Sequence, residues 1–191
     1  MTIKRIAYYI SAHGYGPAAR SVPVLKKLVP EYQVIIKTET PSQFFRGYLG
    51  GQPGGHEDYS LLSRQVDPGC TQGNFVYIDS KASFRNLRKF MEGKQNWLAR
   101  ESRWLKENNI DLIFSDISSL PLLAADRLGI PSLLIANFTW HEIYSGFPEA
   151  KANEDLIECL RQEYAAAALQ ILPQCHIVNK GQPYQKEDGF M

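Results

Sequence analysis

Apolar residues in this chain fall in short unbroken runs, separated by longer stretches where they recur every three or four positions. That alternation predicts buried strands interleaved with amphipathic helices. Residues 3–11 read Ile-Lys-Arg-Ile-Ala-Tyr-Tyr-Ile-Ser, a strand that runs straight into the turn His13-Gly14-Tyr15-Gly16-Pro17. Pro17 suits the first turn of a helix, where a missing N–H costs nothing, and Val22, Leu25, Leu28 and Val29 supply its apolar face. Residues 34–36 predict a second strand and residues 41–49 a short helix carrying Phe44, Phe45 and Tyr48. A Gly/Pro-rich loop follows at 50–55. The stretch 59–78 has no clear period apart from a strand-like run at 75–78.

From Ser83, read as an N-cap, one long helix is predicted to about residue 108. Phe90, Trp97 and Trp104, and in parallel Met91, Leu98 and Leu105, lie seven residues apart on one face, which reads as core. Residues 111–114 predict the next strand, 119–128 a helix stopped by Gly129, 131–136 another strand, 153–168 a helix and 175–178 a last strand. Strands that alternate with helices imply an α/β fold, a Rossmann-like three-layer sandwich with a mostly parallel sheet in the order 3-2-1-4-5. Residues 1–179 are expected to form that domain and 180–191 a linker or frayed tail. No second strand-turn-helix series follows Asn153, so the chain reads as one half of something larger.

The 191 residues carry 21 Lys+Arg against 20 Asp+Glu, a formal net charge of +1, which argues against a nucleic-acid partner. At 44% hydrophobic and 12% aromatic, the chain has material for a core. Cys70, Cys159 and Cys175 are scattered and lack metal or redox spacing, so they read as reduced thiols of a cytoplasmic protein. No segment offers the roughly 20 apolar residues of a membrane span. No metal site is expected: His141 with Glu142, and His56 with Glu57 and Asp58, are too few and too local. No G-x-S-x-G elbow supports a serine hydrolase.

In a doubly wound sheet the first and fourth strands are neighbours, and ligands bind where the strand order reverses. His13 follows the first strand and Asp116 the fourth, so topology brings an imidazole and a carboxylate to one rim. Such a pair can take a proton from a hydroxyl; the alternative is that His13 shapes the turn and Asp116 caps a helix. Gly14, Tyr15 and Gly16 form a turn whose backbone N–H groups favour an anion. With Pro17, Ala18 and Ala19 the turn also fits G-x-G-x-x-A, and Glu39 ends the second strand, so a NAD(P)-dependent oxidoreductase stands as an alternative. Asn137 and Trp140 follow the fifth strand on the same rim and are expected to line the cleft.

The segments 10–20 (Ile-Ser-Ala-His-Gly-Tyr-Gly-Pro-Ala-Ala-Arg), 111–118 (Asp-Leu-Ile-Phe-Ser-Asp-Ile-Ser) and 128–131 leading to Asn137-Phe138-Thr139-Trp140 resemble the N-terminal half of GT-B glycosyltransferase-like proteins, including the segment that precedes the kinase in L-arabinokinases. The resemblance implies an acceptor-side domain that works with a second, donor-binding domain or partner chain on a nucleotide-sugar co-substrate and a sugar acceptor. It implies His13 as base and Asp116 as its assistant, with no other cofactor. Many relatives read G-H-G-x-G-H in the first turn; here Ala12 and Pro17 replace the first glycine and the second histidine. With no donor half, the chain is expected to bind nucleotide-sugar weakly and to be inactive alone. The rival is a non-catalytic binding or regulatory module. Phe138, Trp140, Tyr144 and Phe147 are expected to include an exposed patch that would support a homodimer.

Overall fold

The computed structural model describes residues 5–50, 59–73 and 77–173. In chain order the elements are β1 (Arg5–Ile10), α1 (Gly16–Leu28), β2 (Gln33–Thr38), α2 (Ser42–Leu49), β3 (Tyr59–Ser63), α3 (Ser80–Glu92), α4 (Lys94–Glu107), β4 (Leu112–Asp116), α5 (Leu120–Leu128), β5 (Ser132–Ile135), α6 (Trp140–Ser145), a 3₁₀ turn (Ala150–Asn153), α7 (Glu154–Ala165) and β6 (Leu169–Ile171). The strands form one open sheet in the order β3-β2-β1-β4-β5-β6, every pairing parallel. This is the Rossmann-like α/β architecture that the alternating pattern predicts.

From β1 the chain winds outward to β3 and then, through β4, outward to β6 on the other side. Crossovers of one hand must then place the two sets of helices on opposite faces. Ile6, Tyr8 and Ile10 of β1 pack with Ala18 and Leu25 of α1 and Phe45 of α2. Ala7 and Tyr9 pack on the other face with Trp97, Leu98 and Leu105 of α4 and with Leu120, Ala124 and Ala125 of α5. A third cluster, under α3, α6 and α7, includes Phe84, Leu87, Trp140, Tyr144, Leu160 and Tyr164.

The predicted 83–108 helix is two helices. Gly93 caps both at φ −81° and ψ −5°, and the halves serve different cores: Phe84 and Leu87 of α3 join the third cluster, while Trp97, Leu98 and Leu105 of α4 lie under the sheet. The α3 N-cap is Asp79, whose carboxylate accepts from the Ala82 N–H at 2.8 Å. Ser83 is buried in the first turn, donating to the Asp79 carbonyl and accepting from the Thr71 N–H. The edge strands β3 and β6 escape the pattern because they are short and mostly exposed, as edge strands tend to be. Helix α7 ends at Ala165, three residues before the expected stop, and leads into β6. Of the strand expected at 75–78, Ile78 makes an isolated antiparallel bridge to Gln72 and residues 75–76 lie outside the described residues. The loop at 51–55, the strand at 175–178 and the tail at 180–191 also lie outside them.

Between α4 and the sheet, Glu101 is 1% exposed, and its carboxylate pairs with the Lys37 ammonium and accepts from the Tyr9 hydroxyl at 2.6 Å. Arg64 approaches its other oxygen at 3.4 Å, and Lys37 lies over the Trp104 ring. Burial pulls the Lys37 ammonium down to about 8 against the pull of Glu101, and pushes the Tyr9 phenol well up. Removing one partner of such a group strands the other in low dielectric, which costs far more than replacing both with apolar groups. Glu101→Ala should therefore lower the unfolding free energy by about 3–5 kcal/mol in urea titrations. The double change Lys37→Met with Glu101→Leu should be much milder; an equal loss would show that lost packing, not an orphaned charge, sets the cost.

Candidate functional site

The register at the carboxyl end of β1 and β4 builds the site. Ile10 is opposite Asp116, and the Ser11 N–H donates to the Asp116 carbonyl at 2.7 Å. Paired residues of neighbouring strands point to the same face, and faces alternate along a strand. Asp116 therefore shares the α1 face with Ile10, while Ser11 and Ser115 point to the other.

On the α1 face, Asp116 is fully buried and meets the first turns of α1. Its carboxylate is held by a two-pronged contact from Arg20, with Nε at 3.0 Å and Nη2 on the second oxygen, and by the Ser21 hydroxyl at 2.9 Å. Arg20 Nη1 also donates to Asn137 Oδ1, which ties the start of α1, the end of β4 and the turn after β5 into one rim. The Tyr8 hydroxyl is buried nearby, close to Ser21, and burial together with the Asp116 charge keeps it neutral.

On the opposite face, the carboxylate at this edge is that of Asp67. Its Oδ1 accepts from Ser11 Oγ and the Gly69 N–H, both at 3.1 Å, and its Oδ2 from Ser118 Oγ. Burial raises its pKa, and hydrogen bonds to the ionised form oppose the rise. The Trp140 indole lies close enough to help hold that charge, yet its Nε1–H is buried without a hydrogen bond of normal geometry. Trp140 meets the His13 ring edge-on at 5.2 Å between centroids. Gly69 sits at φ +59°, and a Cβ there would stand 2.7 Å from His13 Nδ1, so only glycine permits the ring to lie against this turn.

The structure thus brings His13, Gly14, Tyr15, Gly16, Asn137 and Trp140 to one edge, but it does not join His13 to Asp116. The expected side-chain pair is replaced by Asp116 with Arg20 and by His13 with Trp140 and Gly69, because pleat alternation sends the carboxylate to the α1 face. Gly14 adopts φ +73°, and Tyr15 is 59% exposed, stacking on Phe44 of α2 at 5.4 Å. The expected exposed aromatic patch is absent: Trp140 and Tyr144 are buried in the third cluster, and Phe138 and Phe147 pack against it. Sequence reasoning missed Asp67, whose only signal is the turn triplet Asp67-Pro68-Gly69, and the partnership of Arg20. Among the described residues, no three His, Cys, Asp or Glu side chains cluster as a metal site, and no helix is long and apolar enough to cross a membrane.

Beside His13 lies a pocket of about 140 Å³ walled by Glu39, Arg64, Gln65, Asp67 and the backbone of the two turns. A larger groove of about 590 Å³, lined by Gly129 to Ser132 and the end of α7, opens at the amino end of β5, away from these groups.

Two outcomes follow. A carboxyl that binds its proton more tightly in the folded than in the unfolded chain favours folding below the unfolded pKa and loses that benefit as pH rises through the folded pKa. Burial lifts Asp116 from 3.8 to about 6. The stability of the wild type relative to Asp116→Asn should therefore fall by roughly 2 kcal/mol between pH 4 and 7, read by denaturation at each pH; a pH-independent difference would show that Arg20 holds the group ionised throughout. Second, Gly69→Ala should displace the His13 ring and destabilise the fold by about 1–3 kcal/mol, seen as a shift of the His13 imidazole resonances.

No known protein-family pattern matches the chain. Among curated proteins it is similar to L-arabinokinase of Arabidopsis thaliana, 30% identical over 148 residues that make up 74% of this chain and 13% of that protein. Among solved structures it is similar to Arabidopsis thaliana UGT89C1 complexed with quercetin, with a TM-score of 0.56 and 11% identity over 91% of this chain and 44% of that one. It is also similar to Phytolacca americana UGT2 complexed with UDP-2fluoro-glucose and pterostilbene, with a TM-score of 0.53 and 14% identity over 90% of this chain and 48% of that one. At such identities the structures show the fold alone: the chain has the Rossmann-like fold found in GT-B glycosyltransferases and spans less than half the length of either.

Proposed function

We propose that this chain is the N-terminal, acceptor-side half of a nucleotide-sugar-dependent glycosyltransferase, incomplete without a donor-binding half. The observation that carries the reading is the placement of His13: it follows β1 where the strand order reverses, beside a polar pocket, in a fold of the GT-B kind. The Nδ1 edge of its ring lies against Gly69, which leaves Nε2 to face an acceptor hydroxyl. In the transfer, that nitrogen takes the hydroxyl proton as the oxygen bonds to the anomeric carbon. The bond from that carbon to the diphosphate breaks, and its electron pair leaves with the nucleotide.

Asp67, not Asp116, is the carboxylate on the His13 side of the sheet. Three hydrogen bonds fix it, and it lines the same pocket as His13. Asp116 holds Arg20 at the start of α1, next to the Gly14-Tyr15-Gly16 turn, where a fixed guanidinium and the turn's backbone N–H groups can meet the departing diphosphate. The donor's base and ribose would rest on the donor-binding half.

The test is transfer of labelled sugar from a UDP-sugar by the natural polypeptide that contains this chain. His13→Ala should lower the rate by about 10²–10⁴-fold with the fold intact, and an unchanged rate would remove His13 as the base. The 191-residue chain alone should bind UDP weakly and transfer nothing; measurable turnover by it would overturn the half-site reading.

A further inference from the structure

The pocket beside His13 is small for its setting. At about 140 Å³ it falls below the roughly 300–1,000 Å³ of sites that enclose drug-sized ligands, which are also mainly apolar. Its wall is dominated by Glu39, Arg64, Gln65 and Asp67, with His13 at one end. The solved structures of like fold were complexed with quercetin and pterostilbene; a flat aromatic molecule would strip water from these polar groups without replacing the lost bonds.

Much of the hydrogen-bonding capacity around the pocket is unspent. Arg64 is 27% exposed at its side chain, yet none of its guanidinium N–H groups makes a hydrogen bond to a described residue. It is kept in place by Glu101 at 3.4 Å and by the Trp97 ring at 5.5 Å, and its Nε is wholly buried without a partner. Half-buried donors left in this state are uncommon, because each forfeits its bonds to water. Glu39 is exposed at the pocket mouth. The Gln65 backbone carbonyl accepts from the Trp97 indole, and its exposed side-chain amide makes no hydrogen bond to a described residue. Asp67 has already committed both oxygens.

We infer that this pocket takes a small, neutral, polyhydroxylated acceptor of monosaccharide size, recognised by Arg64, Glu39 and Gln65. Each hydroxyl both donates and accepts, which suits a wall that offers a guanidinium, a carboxylate and an amide together. An anion would face Glu39 and Asp67, and a cation would face Arg64 with Lys37 behind it on Glu101. A neutral polyol avoids both penalties. The inference rests on the transferase reading only for what happens to the bound hydroxyl.

Binding can be read without any donor, by amide chemical-shift titration of the 191-residue chain with D-glucose, D-xylose and myo-inositol, against sodium acetate and quercetin as contrasts. The expected result is saturation on the order of 1 mM by at least one polyol, with shifts confined to residues 12–13, 39 and 64–69. Glu39→Ala, at an exposed position, and Arg64→Met should each weaken it by about tenfold or more, the loss expected for a charged hydrogen bond. Arg64→Met is scored only if its spectrum stays folded, which leaves Glu39→Ala as the independent arm. Three outcomes would overturn the inference: no polyol shifts at these residues, preferential saturation by acetate or quercetin, or affinities indifferent to both substitutions. A polyol that binds here while His13→Ala leaves transfer unchanged would sink the base assignment and keep the pocket; the reverse pair of results would sink the pocket and keep the base.

Discussion

The registration of β1 against β4 sets the geometry on which the functional edge depends. Ile10 opposite Asp116, locked by the Ser11 N–H on the Asp116 carbonyl, decides which face each polar side chain enters. A slip of one residue would exchange the faces. Asp116 would leave Arg20 and Ser21, and Ser11 would lose Asp67. The buried polar groups protect this register, since each finds its partner in only one alignment. Asp116 at 0% exposure could not tolerate an alternative without a stranded charge.

The same logic recurs away from the edge. Glu101 of α4 and Glu163 of α7 are each 1% exposed, and each is matched to a lysine and a hydroxyl: Lys37 and Tyr9 for the first, Lys94 and Ser119 for the second. Apolar contacts alone would allow α4 and α7 to slide along the sheet or along α5, because leucines and alanines offer few distinctive partners. A buried carboxylate with two specific donors permits one depth and one rotation. Here the ion pairs act less as a source of stability than as a fix on helix position, and through α4 that position reaches Arg64 and the pocket.

The fold was legible in the sequence because burial on both faces of a parallel sheet leaves unbroken apolar runs, and because Gly129, at φ +64°, ends its helix as a C-terminal glycine should. The central strands, α1, α2 and α5 came from those signals. The seven-residue stripe of Phe90, Trp97 and Trp104 misled, since a stripe reports a buried face and not which core buries it, and α3 and α4 answer to different cores. The edge strands were hidden because a strand paired on one side and wet on the other has no distinctive period. For the site, topology gathers His13, the glycine turn, Asn137 and Trp140 at one sheet edge. It could not assign side chains to faces, because that needs the exact pairing register, and so Asp116 was matched to the wrong partner.

The pocket beside His13 is built largely by the segment whose pattern was hardest to read. Residues 64–69 follow an edge strand, cross the carboxyl edge of the sheet and supply Arg64, Gln65, Asp67 and the Gly69 turn against His13. A segment whose side chains line a polar cavity cannot also carry the regular alternation that marks a strand or helix. The scaffold elements are constrained by burial and are therefore readable; this loop is held by polar partners instead. Its side chains are anchored from below by Glu101 and from beside by Ser11 and Ser118, so an irregular backbone still presents a fixed surface.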